Sequence, residues 1–228
     1  MQLNSTIYKL KDSYKKLTVP QFTIVTGLII ILLGTLLLSS PLCSKNTVGI
    51  WEAFFTSTSA ITVTGLTVID IGQDLTFIGQ FFLALMLLSG GLGLMAITTF
   101  LQGFVVKGAK LRTRLDKGKT LDEFGVGGIG RTFRSIAITA TVIISLGALF
   151  LYFFGFIDIQ NHYERLWAAI FHSISAYNNA GFSIWSSSLY SYRTNFLVNF
   201  VFIVLIILGG LGWRVIDDIW NNRKNLSY

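Results

Sequence analysis

The chain has 228 residues, 52% of them hydrophobic and only 13% charged, with a mean hydropathy of +0.64 and a formal net charge of +7. A soluble domain carries about a quarter charged residues, so this composition excludes an ordinary globular protein and makes the bilayer the natural solvent. A single cysteine, Cys43, excludes an internal disulfide and a cysteine-rich cluster, and with only two histidines a histidine-based metal site is not expected.

Residues 1–21 form a tail carrying Lys9, Lys11, Lys15 and Lys16. The uncharged stretch 22–40, bracketed by Pro20 and Pro41, is long enough to cross about 30 Å of hydrocarbon as a helix. Its 19 residues exceed the apolar core of a cleaved signal peptide, so a retained span is expected. Next come a short helix over about 48–60, too short and too polar to span, and a glycine-containing stretch over 61–66. The uncharged run 75–106 has 32 residues, more than a span needs, so part of it must tilt, kink or lie in the interface.

The linker 107–134 holds eight Lys and Arg residues. A third uncharged stretch, 135–157, precedes a second short helix over about 164–176 and a stretch over 177–182. The fourth, 194–213, precedes a tail over 214–228. Of the 18 Lys and Arg, only Lys45, Arg165 and Arg193 lie on the side opposite the tails and linker. The positive-inside rule then places both termini and the linker in the cytoplasm of a multi-pass cell-membrane protein. The net positive charge is thereby explained as topogenic, without nucleic acid as a partner.

The two halves repeat. Trp51, Ala53, Phe55, Ser57, Ser59, Ala60 and Gly65 recur unchanged 116 positions later as Trp167, Ala169, Phe171, Ser173, Ser175, Ala176 and Gly181. Chance would give roughly one such match over a window of this length. Further on, Phe81, Gly90, Gly91, Leu92 and Gly93 pair with Phe200, Gly209, Gly210, Leu211 and Gly212 at an offset of 119. The expected fold is therefore all-α and membrane-embedded, with two parallel repeats, 22–106 and 135–213. Each repeat has an outer helix, a re-entrant short helix with a filter loop, and an inner helix.

A helix of about 12 residues is roughly 18 Å long. Entering from the outer face, it would end near mid-membrane with its carbonyl end inward, where the dipole favours a cation. Irregular backbone at that depth survives only where it lines a wet cavity or is buried in protein. The candidate ion-coordinating residues are therefore Thr62, Val63, Thr64 and Gly65 in the first repeat and Asn178, Asn179, Ala180 and Gly181 in the second. Their carbonyls would replace the hydration shell of a cation, and each glycine permits the backbone geometry this needs.

Other features read more plainly. Gly125-Val126-Gly127-Gly128-Ile129-Gly130 fits a dinucleotide pattern, but it leads into a membrane helix rather than lying in a βαβ unit, so no nucleotide cofactor is expected. The clusters Gly90-Gly91-Leu92-Gly93 and Gly209-Gly210-Leu211-Gly212 are expected to pack helices closely, with a hinge as the alternative. The basic run 107–119 suits a regulatory subunit, anionic lipid or simple topogenesis. His172 is expected to make a buried polar contact. Asp70 and Asp74 are placed at the outer mouth, and Glu52 and Glu164 at the starts of the short helices. Without paired carboxylates, a nucleophile motif or metal-ligand spacing, the chain is not expected to be an enzyme.

Phe54-Phe55-Thr56-Ser57-Thr58-Ser59-Ala60 with Val63-Thr64-Gly65-Leu66 resembles the first pore segment of the Trk/Ktr/HKT potassium-transporter superfamily. Ser175-Ala176-Tyr177-Asn178-Asn179-Ala180-Gly181-Phe182 resembles the second pore segment of its bacterial Ktr-type membrane subunits. The resemblance implies monovalent-cation uptake through four channel-like repeats around one pore, with one filter glycine per repeat, here Gly65 and Gly181. It also implies a preference for potassium over sodium, because sodium-selective plant relatives carry serine at the position of Gly65. A cytoplasmic ring of nucleotide-binding regulatory subunits is the partner implied. The chain carries only the first two repeats of that pattern. A fragment or half-transporter is therefore expected, which needs a second membrane chain or the missing half to complete a ring of carbonyls. The alternative is an accessory or non-conducting subunit assembling with full-length relatives.

Overall fold

The computed structural model describes residues 19–93 and 126–211. The basic run 107–119, the distal part of the long run 75–106, Gly212 and both tails lie outside the described residues. Within them the chain is helical, and the only β-type contact is an isolated antiparallel bridge between Ser44 and Leu75. In chain order, the helices are α1 (Val19–Leu38), α2 (Ile50–Ile61), α3 (Ile71–Asp74), α4 (Phe77–Gly93), α5 (Val126–Phe150), α6 (His162–Tyr177) and α7 (Phe196–Leu211). A π-turn, Leu151–Gly155, extends α5, and a 3-10 turn, Tyr190–Tyr192, precedes α7.

The segment Arg134–Gly155 is long and apolar enough to cross a membrane, with a mean hydropathy of 2.3 over its most apolar window. Ile24–Leu38, Phe77–Gly93 and Phe196–Leu211 are shorter apolar stretches. Helix α5 begins earlier than the expected 135, so Val126–Gly130 lies in its first turns. Three glycines there each cost about 1 kcal/mol relative to alanine, so the apolar sequence that follows must sustain the helix.

Helix ends are satisfied locally, as an apolar solvent demands. At the end of α1, Ser39 and Ser40 hydroxyls donate to the carbonyls of Leu36 (3.2 Å) and Leu37 (2.6 Å), and Ser44 Oγ donates to that of Leu38. Pro41 then prevents continuation. The short helices start two residues before the acids expected to open them. Glu52 is the third residue of α2 and accepts from the N–H of its cap, Gly49, at 2.9 Å. Glu164 is likewise third in α6, whose cap Asn161 accepts from the N–H of Tyr163 at 3.0 Å.

On the side carrying Lys45, the chain end of α1 is tied to the start of α4. The N–H of Thr76 donates to the carbonyl of Cys43 (2.8 Å), and the N–H of Lys45 donates to that of Asp74 (2.7 Å). The second half uses side chains instead: the Tyr192 hydroxyl, in the turn before α7, donates to the Asp158 carboxylate after α5 at 2.8 Å.

One buried cluster joins the two halves, with Leu38, Leu75, Leu83 and Leu87 packed alongside Ile144, Phe171 and Tyr177. Across this junction the Trp167 indole N–H donates to Gln80 Oε1 at 2.7 Å, and its ring packs on Phe77 at 4.7 Å between centroids. A second cluster, Leu151, Phe156, Ala169, Val198 and Leu205, belongs to the later half alone. The outer surface is apolar: Leu28, Leu32 and Leu36 form an exposed i, i+4 row on α1, and Trp51 and Phe196 are 81% and 78% exposed. Continuous apolar surface of this kind suits lipid or another membrane chain, not water.

Candidate ion site at the ends of the short helices

Each short helix ends in the same backbone figure. After α2, the N–H of Val63 donates to the carbonyl of Ala60 (3.3 Å), and that of Thr64 donates to Ser59 (2.9 Å). After α6, the N–H of Asn179 donates to the carbonyl of Ala176 (3.0 Å), and that of Ala180 donates to Ser175 (2.8 Å). These paired bonds, with a left-handed residue between them, are a Schellman cap. The left-handed residues are Val63 (φ 55°) and Asn179 (φ 56°), and two positions later Gly65 (φ 83°) and Gly181 (φ 72°) are left-handed as well. Every one of these features recurs at the offset of 116.

The glycine positions fit their residues, and Asn tolerates the left-handed region. Val63 does not: a β-branched residue there is strained by about 1–2 kcal/mol. No sequence signal marks Val63 for that conformation.

A side-chain bond then ties each loop back to its helix. Ser59 Oγ accepts from the N–H of Leu66 at 2.9 Å, and Ser175 Oγ donates to the carbonyl of Phe182 at 2.7 Å. The second loop has a further fastening. His172 Nδ1 donates to the carbonyl of Ala168 (2.8 Å), which leaves Nε2 to accept from Ser183 Oγ (3.0 Å). The imidazole also stacks on Trp185, with centroids 4.2 Å apart. His172 thus makes a buried polar contact.

The two loops meet. A side chain at Gly65 would run into the carbonyl oxygen of Ala180, whereas one at Gly181 would have only the Gly65 Cα, at 3.8 Å, as a neighbour. Among the described residues, no hydrogen bond ends on the carbonyls of Thr62, Val63, Thr64, Gly65, Asn178, Asn179, Ala180 or Gly181. These oxygens are chemically free to coordinate a cation. The side chains behave differently between halves. Thr62 and Thr64 are exposed, with hydroxyls 2.6 Å apart, while Asn178 is buried and its Nδ2 donates to the carbonyl of Ile174 at 2.8 Å.

Both glycine clusters press on these helix ends. A side chain at Gly90 would strike the carbonyl of Ile61, and one at Gly209 would strike the carbonyl of Tyr177, the residue 116 positions on from Ile61. Gly91 lies against Asn178 Oδ1. Close packing accounts for Gly90, Gly91 and Gly209, whereas Gly93 and Gly210 have room for a side chain.

Asp70 and Asp74 are caps rather than free charges. Asp70 accepts from the N–H groups of Gly72 and Gln73 at 3.0 and 3.1 Å, and Asp74 accepts from the N–H of Asp70 (2.9 Å) and Asn46 Nδ2 (3.1 Å). Partial burial pushes the Asp70 carboxyl up, but bonds from Ser186, Gln73 and Gly72 together with the charge of Lys45 outweigh it and hold the group below the usual carboxylate range. Beside the second half, burial and the hydrogen bond to Asp158 push the Tyr192 phenol well above its ordinary value.

Sequence reasoning identified the loops but missed Ser59, Ser175 and the His172–Ser183 bond as their fastenings. A signal existed for the serines, since both belong to the repeated set.

Comparison with known proteins gives a consistent result. Residues 6–227 match the family model TrkH, described as a cation transport protein. The chain is 34% identical over 210 residues to the Ktr system potassium uptake protein B of Vibrio alginolyticus, covering 92% of this chain and 46% of that protein. It is 32% identical over 209 residues to the Bacillus subtilis protein of the same name, covering 92% and 47%. It is also 33% identical over 221 residues to the potassium/sodium uptake protein NtpJ of Enterococcus hirae, covering 96% and 49%. The chain spans about half the length of these relatives.

Proposed function

The chain belongs to the TrkH family of cation transport proteins, and from that premise we propose that it forms half of a membrane pathway for monovalent cations, with potassium favoured and sodium admitted. In this reading, residues 22–106 and 135–213 are two channel-like repeats joined by the basic cytoplasmic linker 107–134. Both termini are cytoplasmic. Helices α2 and α6 re-enter from the outer face, and the free carbonyls of Thr62–Gly65 and Asn178–Gly181 line the filter. The observation that carries the reading is the pair of equivalent loops, in contact with each other, whose carbonyls no donor among the described residues occupies. Oxygen dipoles of this kind replace the water around an alkali cation.

Two loops supply half of a fourfold ring. A second membrane chain, a second copy or a missing half would complete it, and a cytoplasmic nucleotide-binding ring would regulate it through the linker. An unpaired half would leave irregular backbone against lipid, at several kcal/mol for each unsatisfied group.

The test is growth at low potassium of a bacterium lacking its own potassium uptake systems, expressing residues 1–228 with and without a complementary half. Rescue only with the complementary half is the expected result. Rescue by the chain alone, with crosslinking showing monomer, would refute the half-pathway. No rescue in either case, with the chain crosslinked to a full-length relative, would favour an accessory subunit.

A further inference from the structure

We propose that Ser59 and Ser175 are positioning residues of the cation filter, each hydroxyl holding the residue that follows a filter glycine. The inference rests on the filter reading above and adds the groups that fix the filter's shape. Three observations carry it.

First, the two bonds are equivalent in place. Ser59 Oγ holds Leu66 at 2.9 Å and Ser175 Oγ holds Phe182 at 2.7 Å, so a serine at the same helix position fastens the residue after Gly65 or Gly181. Second, the same serines also accept at their backbone carbonyls, from Thr64 (2.9 Å) and Ala180 (2.8 Å). Each loop is therefore tied to one residue on both sides of its glycine, and the glycine between the ties has little freedom to rotate its carbonyl.

Third, the neighbouring hydroxyls give an internal control. Ser57 and Ser173, two residues earlier and fully buried, have hydroxyls with no hydrogen-bond partner among the described residues. All four serines are small, buried and on the same short helices, but among the described residues only the Ser59 and Ser175 hydroxyls hydrogen-bond to the loops. Their chemistry also differs usefully: Ser59 accepts from an N–H, whereas Ser175 donates to a carbonyl. The second loop carries in addition the His172–Ser183 bond at 3.0 Å, and Thr56, at the position equivalent to His172, has no hydroxyl partner among the described residues. The first loop is thus the more dependent on its serine.

The test combines two measurements. Amide hydrogen exchange at Leu66 is read by NMR on the full chain in lipid nanodiscs, for the native protein, Ser59→Ala and Ser57→Ala. Rubidium and sodium uptake are then compared in the potassium-deficient host, with the complementary half present, for the same variants and for Ser175→Ala, Ser173→Ala and Gly65→Ser. Ser59→Ala should speed Leu66 exchange and lower the rubidium-to-sodium ratio, each by roughly fivefold, the worth of one net hydrogen bond. Ser175→Ala should lower the ratio less, and Ser57→Ala and Ser173→Ala should leave it unchanged.

Unaltered Leu66 exchange in Ser59→Ala would overturn the proposal whatever the uptake. So would equal loss of discrimination in the Ser57 and Ser59 variants, which would assign the effect to helix packing. A ratio that shifts in Gly65→Ser but not in Ser59→Ala or Ser175→Ala would remove the serines and leave the filter reading standing. A ratio unmoved by Gly65→Ser would instead remove the filter reading.

Discussion

Gly65 and Ala180 meet across the two halves, with the Gly65 Cα facing the Ala180 carbonyl so closely that no side chain fits between them. The reverse contact is open: a side chain at Gly181 would lie 3.8 Å from the Gly65 Cα, an ordinary van der Waals distance. The two glycines share a left-handed backbone, at φ 83° and 72°, but only Gly65 is also locked by the opposite loop.

Alanine at either position should therefore destabilise the protein, but unequally. Each substitution forces a Cβ into the left-handed region at a cost of about 1–2 kcal/mol. Gly65→Ala must in addition push the Ala180 carbonyl aside, a steric penalty of about 1–3 kcal/mol. Thermal unfolding in detergent should rank native above Gly181→Ala above Gly65→Ala. Equal melting temperatures for the two variants would contradict the contact.

The glycines of α4 and α7 yield a related prediction. Gly90→Ala and Gly209→Ala would press a methyl group on the carbonyls of Ile61 and Tyr177, so each should lose about 1–3 kcal/mol. Gly27, in α1, has open space where a Cβ would go, and Gly27→Ala should be neutral or stabilise by up to ~1 kcal/mol through helix propensity. The same melting assay separates close packing from a hinge. Loss of transport with no loss of stability in Gly90→Ala would favour the hinge.

Val63 offers the opposite case, a residue that the fold strains. At φ 55° its branched side chain opposes the backbone, whereas Asn179 at the equivalent place does not. Val63→Asn should stabilise the protein by about 1 kcal/mol. A lower melting temperature would show that Val63 packing outweighs its backbone strain.

The orientation is testable with the native thiol removed. Cys43 is fully buried, so Cys43→Ser gives a quiet background. In intact cells a membrane-impermeant thiol reagent should label Lys45→Cys and Arg193→Cys but not Lys117→Cys, following the charge bias. Labelling of Lys117→Cys would reverse the topology.

Much of this architecture was legible in the amino-acid order because the bilayer imposes length and charge rules that few sequences satisfy by accident. The uncharged stretches and the repeated set from Trp51 to Gly65 located the described ends of α1, α2, α5, α6 and α7 and the start of α4 to within a few residues, while the expected end of α4 near 106 lies outside the described residues. The start of α5 was the exception, because Gly127, Gly128 and Gly130 read as a break and only the following apolar turns hold them helical. The loop backbone was half legible. Glycine announces positive φ at Gly65 and Gly181, but Val63 gives no warning, since its geometry is set by the cap formed between Ser59 and Thr64. The roles of Asp70 and Asp74 were hidden for a similar reason. Carboxylates beside an outer mouth suggest attraction of cations, but their oxygens are spent on capping α3 and its neighbours.

The central claim is that the backbone at Gly65 and Gly181 discriminates between alkali cations. Reversal potentials under bi-ionic potassium and sodium conditions, for an assembly that conducts with either Gly65 or Gly65→Ser, test it most directly. The account predicts a fall in the potassium-to-sodium permeability ratio of roughly tenfold, the equivalent of about 1.4 kcal/mol at one coordinating carbonyl. An unchanged ratio would remove Gly65, and the loop it anchors against Ala180, from the ion path.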